Sequence, residues 1–513
     1  MKLLDFINDN IKPTPNSIDN ILLSQSGERQ YQYENSAVTV IRGRTFQSCI
    51  GLASVNFPNC SSIGASAFLN CSNLTNISFP KCDYIGSSAF CSCSNLTDAN
   101  FPNCAIIDSY AFQYCSSLMS ANFPNCTIIN MNAFSKCDNL TDANFPNCIS
   151  IYSGAFYSCL NLKNANFQNC TSIGSGVFNA CTNLVNISFP QCIVISNSAF
   201  GGCFGLISVN FPNCTTIGSY AFRSCSNLTN ISFPKCTIIN GMTFANCTLT
   251  DIDFPNCTSI GVSAFLSCSN LTNISFPKCS RIHNYAFCNC TSLTNISFPN
   301  CSRIGSSAFY SCSSLTSVDF PVCTSIDDNA FYGCINLTNI SFPNCNSIGI
   351  KAFYNCTSLT SVDFPNCNSI GGSAFGRCFG LISVNFPNCP SIEYGAFSSC
   401  TNLTNISFPN CTTISTNAFY NCTGLTSVDF PNCSSIGASA FYSCTSLTNI
   451  ILRKSSVVTL NNANAFYSTP ISRSTYLGYY GSIYVPASLV DAYKSASKWS
   501  VNSNRITRIE NLA

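Results

Sequence analysis

The sequence predicts an α/β solenoid: a parallel β-solenoid of about 19 coils of 22 residues, with short helical or 3-10 turns and a C-terminal cap. Two observations carry this. A marker Phe recurs in steps of 22 from Phe68 through Phe90 and Phe112 to Phe244, makes one step of 21 to Phe265, and resumes at 22 from Phe287 to Phe441. Around it the same apolar pattern returns each time, as in LTNISFPKCDYIGSSAFCSCSN from Leu74 to Asn95. A period in this range stacks one coil on the next, because a single coil cannot bury its apolar face alone.

Three regions follow in chain order: an N-terminal cap over residues 1–37, the solenoid over 38–450 and a C-terminal cap over 451–513. Leu3, Leu4, Phe6 and Ile7 suggest a short helical stretch over the open first coil. In that coil Val38, Ile41 and Phe46 take the phases of Cys60, Ile63 and Phe68.

In the coil from Leu74, Ile77 and Phe79 alternate with Asn76 and Ser78, the signature of a half-buried strand. Pro80 ends it, having no N–H to give a neighbour. Cys82 and Ile85 return inward, Gly86 turns the chain, and Ala89, Phe90 and Cys93 close the coil as a short helical or 3-10 turn. The missing residue of the 21-step falls before Leu249, at Cys247–Thr248, so Leu249, Ile252 and Phe254 should keep their inward phase and the sheet should run on. In the last region Pro486 suits a helix start. Leu489, Ala492, Tyr493 and Ala496 share a helical face, Trp499 follows, and Arg505 to Glu510 reads as a closing strand.

Thirty-nine cysteines fall almost wholly in two repeat phases, one in FPxC from Cys60 to Cys433 and one in AFxxC from Cys49 to Cys444. A buried thiol column, bridges between coils and metal binding are the three readings. Phase favours the column, since Cys packs small and buried, whereas zinc needs four ligands at one point. Cys91 and Cys288 lie outside both phases, at a position that reads as exposed, with a reactive or crosslinking thiol as the minor alternative.

Charged residues make up 8% of the chain and the formal net charge is +2, which excludes the basic face that nucleic acid requires. No apolar run reaches the roughly 18 residues of a membrane span. Asp5, Asn8, Asp9 and Asn10 interrupt any secretory apolar region. The single His, His283, reads as a surface residue, and no base–nucleophile set or phosphate loop is present, so no catalytic, metal or cofactor site is expected.

The pattern LxxIxFPxCxxIGxxAFxxCxx resembles the BspA-like, or Treponema-type, leucine-rich repeat, and YVPASLVDAYK resembles an ending found on such repeats in gut bacteria and their phages. The resemblance implies a surface protein of adhesion or recognition. The expected role is therefore a non-enzymatic solenoid on a cell or virion surface, binding host glycan or protein. It would be a monomer or a component of a larger particle. A structural spacer or self-assembling scaffold is the alternative. The resemblance also implies that ligands meet the outward strand face, here Asn76, Ser78, Asp98, Asn100, Asp253, Asp319 and Asp363. A second candidate is the Tyr column after AF, at Tyr310, Tyr332 and Tyr354, since exposed Tyr offers amphipathic contact area.

Overall fold

A computed structural model describes residues 21–23, 29–472 and 481–512. The expected helical stretch at Leu3 to Ile7 lies outside the described residues. The chain is a parallel β-solenoid in two compact units, Met1–Phe254 and Pro255–Ala513.

Each coil contributes a three-residue strand such as Asn76–Ser78 and a two-residue strand such as Tyr84–Ile85. Both pair in parallel with their equivalents 22 residues away, as in Ser54↔Asn76 and Ile63↔Ile85. The third side was expected to form short helical or 3-10 turns; the last coil has the 3-10 helix Ala463–Phe466, whereas the coils before it run as tandem turns. Ser88 and Ser92 adopt left-handed φ of 55° and 60°, and the coils from Arg44 and Ser48 to Ser439 and Ser443 repeat this pair of positions, while the last coil keeps only the second, at Ser468. A left-handed L-residue costs roughly 1–2 kcal/mol, and the hydrogen bonding shows what offsets it. The N–H groups of Ser88, Phe90 and Ser92 point along the axis to Ser109, Ala111 and Gln113 carbonyls at 2.9, 2.7 and 2.7 Å. Those of Ala89, Cys91 and Cys93 turn back within the coil to Gly86, Ser88 and Phe90. The paired left-handed residues thus let tandem turns alternate their N–H groups and bond between coils as a strand would.

Gly86 is fixed by proximity. A Cβ there would stand 2.8 Å from Ala65 N and Ile63 O of the preceding coil.

The core holds two phenylalanine columns. Phe68 and Phe90 stack at 5.0 Å and 2°, Phe79 and Phe101 at 5.8 Å and 9°, and the columns meet edge to face, as for Phe68 and Phe79 at 6.0 Å and 65°. These are favoured aromatic arrangements. Of the eight expected inward positions, one departs. The central Ile of several NIS strands, including Ile77, Ile231 and Ile340, is only half-buried, whereas the smaller Ala99 and Val318 at that position are buried.

At the 21-step, Leu249, Ile252 and Phe254 keep their inward phase, being 0, 5 and 0% exposed. The strand side does not run unbroken, however. Asn230–Ser232 and Asp251–Asp253 lie in separate sheets, and the same interruption occurs between Asn76–Ser78 and Asp98–Asn100, where the step is 22. The breaks therefore belong to the short strand itself. On the second side, Ser369–Ile370 and Ser391–Ile392 are also parted. Pro390 explains this: elsewhere that residue's N–H bonds back one coil, as Asn368 N does to Asn346 O at 2.9 Å, and proline has none.

The asparagine of FPNC has a role invisible in the pattern. Asn125 Nδ2 donates to Pro102 O at 2.8 Å, and Asn103 to Pro80 O at 2.7 Å, each bonding one coil to the last. Where Lys replaces it, Lys81 Nζ reaches Asn59 Oδ1 at 2.8 Å. Asn125→Ala should lower stability by about 1 kcal/mol. Asn125→Asp should cost more, since it sets a carboxylate against a carbonyl. Denaturant midpoints of the two variants check this order.

At the N-terminal end Arg29–Glu34 pairs with Leu52–Asn56, and the Tyr33 ring lies 5.6 Å from Phe46 and 5.5 Å from Phe57. At the other end the step from Phe441 to Phe466 is three residues longer than 22; the extra residues fall after Asn449–Leu452, and Phe466 still stacks on Phe441 at 5.7 Å. Ser482–Val485 and Ile506–Arg508 extend that strand side. The expected helix is Val490–Ser495. Of its expected inward face only Tyr493 is buried, joined by Trp499, while Leu489 is half-buried and Ala492 exposed. The six-residue helix is too short to present the longer stripe.

Candidate binding site

All 39 cysteines are free thiols. Their two columns bond differently. In AFxxC the thiol of each coil donates to the AF-Phe carbonyl of the coil before, as Cys93 Sγ does to Phe68 O at 3.2 Å. The same carbonyl accepts Cys71 N at 3.1 Å. In FPxC the thiol bonds within its own turn, as Cys82 Sγ does to Tyr84 O at 3.3 Å. Burial pushes both Cys71 and Cys82 from 9.0 up to about 12. The pair expected to be exposed is not: Cys288 is 7% exposed and Cys91 half-buried, and burial raises the pKa of each. A protonated, covered thiol is a poor nucleophile. Among the described residues no group of three or more His, Cys, Asp or Glu is placed to hold a metal ion. No helix among them is long and apolar enough to cross a membrane.

The strand-face candidates Asn76, Ser78, Asp98, Asn100, Asp253, Asp319 and Asp363 are all exposed. Several are engaged with the next coil. Asn122 Nδ2 donates to Asn100 Oδ1 at 2.9 Å, Asn144 to Asn122 at 2.9 Å and Asn166 to Asn144 at 3.0 Å. Ser120 Oγ donates to Asp98 at 2.7 Å, Ser297 Oγ to Asp319 at 3.2 Å and Asn385 Nδ2 to Asp363 at 2.9 Å. This face spends much of its hydrogen-bonding capacity on itself. Asp319 and Asp363 are two coils apart and form no pair.

Tyr310, Tyr332 and Tyr354 are brought together but are half-buried rather than exposed. Their rings stack at 4.8 and 5.2 Å. Burial, with Tyr332 and Cys288 beside it, raises the Tyr310 pKa. Lys351 Nζ and the Arg377 guanidinium each lie 5.8 Å from the Tyr354 ring centre. The column packs coil on coil.

Two features escaped the sequence reading. The first is an open groove of about 720 Å³ in the unit Met1–Phe254, lined by Asn70, Ser72, Ser94, Tyr114, Ser116, Lys136 and Asp138, among others. Tyr114 is 47% exposed, and Lys136 Nζ stands 5.8 Å from its ring centre. Tyr114 and Lys136 both hold the second left-handed position of their coils, at φ 61° and 60°, which turns them to this edge. An aromatic ring flanked by hydroxyl, amide, ammonium and carboxylate groups can meet both the apolar face and the hydroxyls of a sugar.

The second feature is a polar cleft of about 290 Å³ in the unit Pro255–Ala513, lined by Val262, Arg281, Ile282, His283, Asn284, Arg303, Gly305, Ser306 and Asp327. The Arg303 guanidinium grips Asp327, with Nε 3.2 Å from both oxygens and Nη2 3.0 Å from Oδ2. Burial and the neighbouring Arg281 charge lower the His283 pKa. The signal was present in the chain as a local departure. Arg stands in two successive coils at 281 and 303 where most coils place Ser, Ile, Val or Thr, with the lone His between them.

The family model described as BspA type Leucine rich repeat region matches residues 17–141, 105–213, 193–300, 280–400 and 368–484. Among solved structures, a leucine-rich repeat protein from Bacteroides ovatus is 20% identical, with 88% of this chain and 99% of that chain covered and a TM-score of 0.40. A leucine rich cell surface protein from Faecalibacterium prausnitzii is 21% identical over 64% and 95% of the two chains, with a TM-score of 0.32. A leucine-rich repeat protein from Eubacterium ventriosum is 21% identical over 62% and 84%, at 0.38. No curated protein matches the sequence.

Proposed function

We infer that this chain, which belongs to the BspA-type leucine-rich repeat family, is a non-enzymatic recognition protein that binds glycan on a host surface. In this reading it is displayed on a bacterial or phage surface, with its C-terminal segment as cap. The observation that carries the reading is the groove at Tyr114. It is the place where a partly exposed ring, a cation, a carboxylate and a row of serine hydroxyls face solvent together in a chain of low charge. Thiols that burial keeps protonated support a binding rather than a catalytic role.

A glycan array probed with the purified chain tests this, with Tyr114→Ala as the comparison. Loss of a buried stacking contact of about 1–1.5 kcal/mol predicts roughly tenfold weaker binding to the glycans that score. Equal binding by the variant would move the site away from this groove. A chain that binds neither array nor host cells would favour the structural-spacer reading. That alternative has its own support in the Asn100–Asn166 bonding, which ties coil to coil and leaves few groups for a ligand.

A further inference from the structure

The repeat supplies an internal comparison at the cleft. A residue on the outer position of the two-residue strand reaches the residue 24 positions later, at the turn of the next coil. Two coils show it: Tyr84 OH donates to Asp108 Oδ2 at 3.0 Å, and Arg303 holds Asp327 in a bidentate grip. Arg281 is in register with Arg303, one coil earlier. The residue 24 positions after Arg281 is Gly305. Where Arg303 meets a carboxylate, Arg281 meets a position without a side chain, and the cleft opens there.

Gly305 cannot easily be otherwise. A Cβ on it would stand 2.7 Å from Asn284 N, Asn284 Oδ1 and the His283 carbonyl carbon. Donors surround the cleft. Arg281 is exposed, and among the described residues the two ion pairs are Arg303–Asp327 and Arg453–Asp429, so no carboxylate pairs with Arg281. Asn284 lines the cleft, and its Oδ1 accepts Ser306 N at 3.0 Å, which leaves its amide nitrogen as a further donor. His283 lines the same wall. Because Asp327 already balances Arg303, the cleft keeps the charge of Arg281.

We propose that this cleft is an oxyanion-binding site, in which Arg281 takes an external carboxylate or sulfate group as Arg303 takes Asp327, with Asn284 and His283 as neighbouring donors. The ligand class is an acidic glycan, bearing either a sugar carboxylate or a sulfate ester. The site lies in Pro255–Ala513 and stands independently of the groove at Tyr114. Planar, bidentate recognition by guanidinium is strong and selective among hydrogen bonds. A single exposed pair is weak, so a monosaccharide should bind in the millimolar range.

The experiment is titration of the full chain with N-acetylneuraminic acid, with a sulfated monosaccharide and with its neutral parent sugar, at constant ionic strength. Binding is read by chemical-shift changes of arginine Nε–H groups. Arg281→Gln tests the site, and Arg453→Gln, a distant arginine on the same unit, is the control; circular dichroism confirms that both variants fold. Saturable binding of an acidic sugar, weakened at least tenfold in R281Q and unchanged in R453Q, is the expected result. The tighter of the two acidic probes then assigns carboxylate or sulfate. Failure of both acidic probes to saturate, equal binding of the neutral sugar, or equal loss in R281Q and R453Q overturns the proposal.

Discussion

Deleting Ser455 to Ala513 should turn the chain into concentration-dependent aggregates or filaments. The deletion removes Phe466, which stacks on Phe441, and Ser482–Val485, which pairs with Asn449–Ile451. It also takes Thr459–Leu460 from the strand Ser435–Ile436. What remains ends in a phenylalanine core cut across and two unpaired strand edges, a template for pairing with another chain. The lost segment is well fitted to cover that end. Trp499 Nε1 donates to Val458 O at 2.8 Å, Val458 N donates to the Tyr493 hydroxyl at 3.0 Å, and the Trp499 ring lies 5.8 Å from Phe466 and 5.3 Å from Tyr493. Both rings are nearly fully buried. Light scattering against concentration is the measurement. A truncated chain that stays small at all concentrations would show that the segment does not act as a cap. Trp499→Ala is the milder form: a cost of about 3–5 kcal/mol, felt by the last coils first because each coil leans only on its neighbours.

The fold was legible because repetition multiplies a weak signal. One copy of LTNISFPKC is an ambiguous apolar run, but the fixed recurrence of Leu74, Phe79, Cys82, Ile85 and Phe90 specifies coil, register and core together. Two kinds of detail were hidden. Backbone conformation at Ser88 and Ser92 was one: serine has no bias that announces a left-handed residue, and the alternation follows from bonding to the next coil. The other was side-chain bonding across coils, as with Asn125 to Pro102, where the partner is 23 residues away and chemically unremarkable. The candidate columns could not be narrowed to single residues for a related reason. Near-identical columns offer no contrast within themselves, so Asn100 and Tyr332 turned out to serve their neighbours. Contrast lay in departures from the repeat, at Tyr114 and Lys136 and at Arg281, His283 and Arg303.

Alkali should unfold this protein at a pH where ordinary domains persist. In the unfolded chain a thiol ionises near its ordinary value of 9.0, whereas burial in the fold pushes Cys71 and Cys334 up to about 12 and Cys137 and Cys225 well above the usual range. The sign follows. Below pH 9 both states hold their thiol protons and the thiols leave stability unchanged with pH. Above it the unfolded chain loses protons that the folded chain keeps, so stability falls as pH rises from 9 towards 12. Between pH 9 and 10 each fully buried thiol removes about 1 kcal/mol. A dozen such groups match a typical domain's whole stability of roughly 5–15 kcal/mol, and nearly all of the 39 thiols here are buried. Circular dichroism from pH 7 to 11 should therefore show a steep cooperative loss of structure beginning just above pH 9. The same protection predicts the thiol chemistry. At pH 7.5 the folded chain should react with an alkylating reagent chiefly at Cys49 and Cys91, which are only half-buried, while all 39 react in denaturant without reductant. If the unfolded, unreduced chain still shielded most of its cysteines, bridges would hold the coils together. If structure persisted to pH 11, the thiol protons would not be what the core depends on.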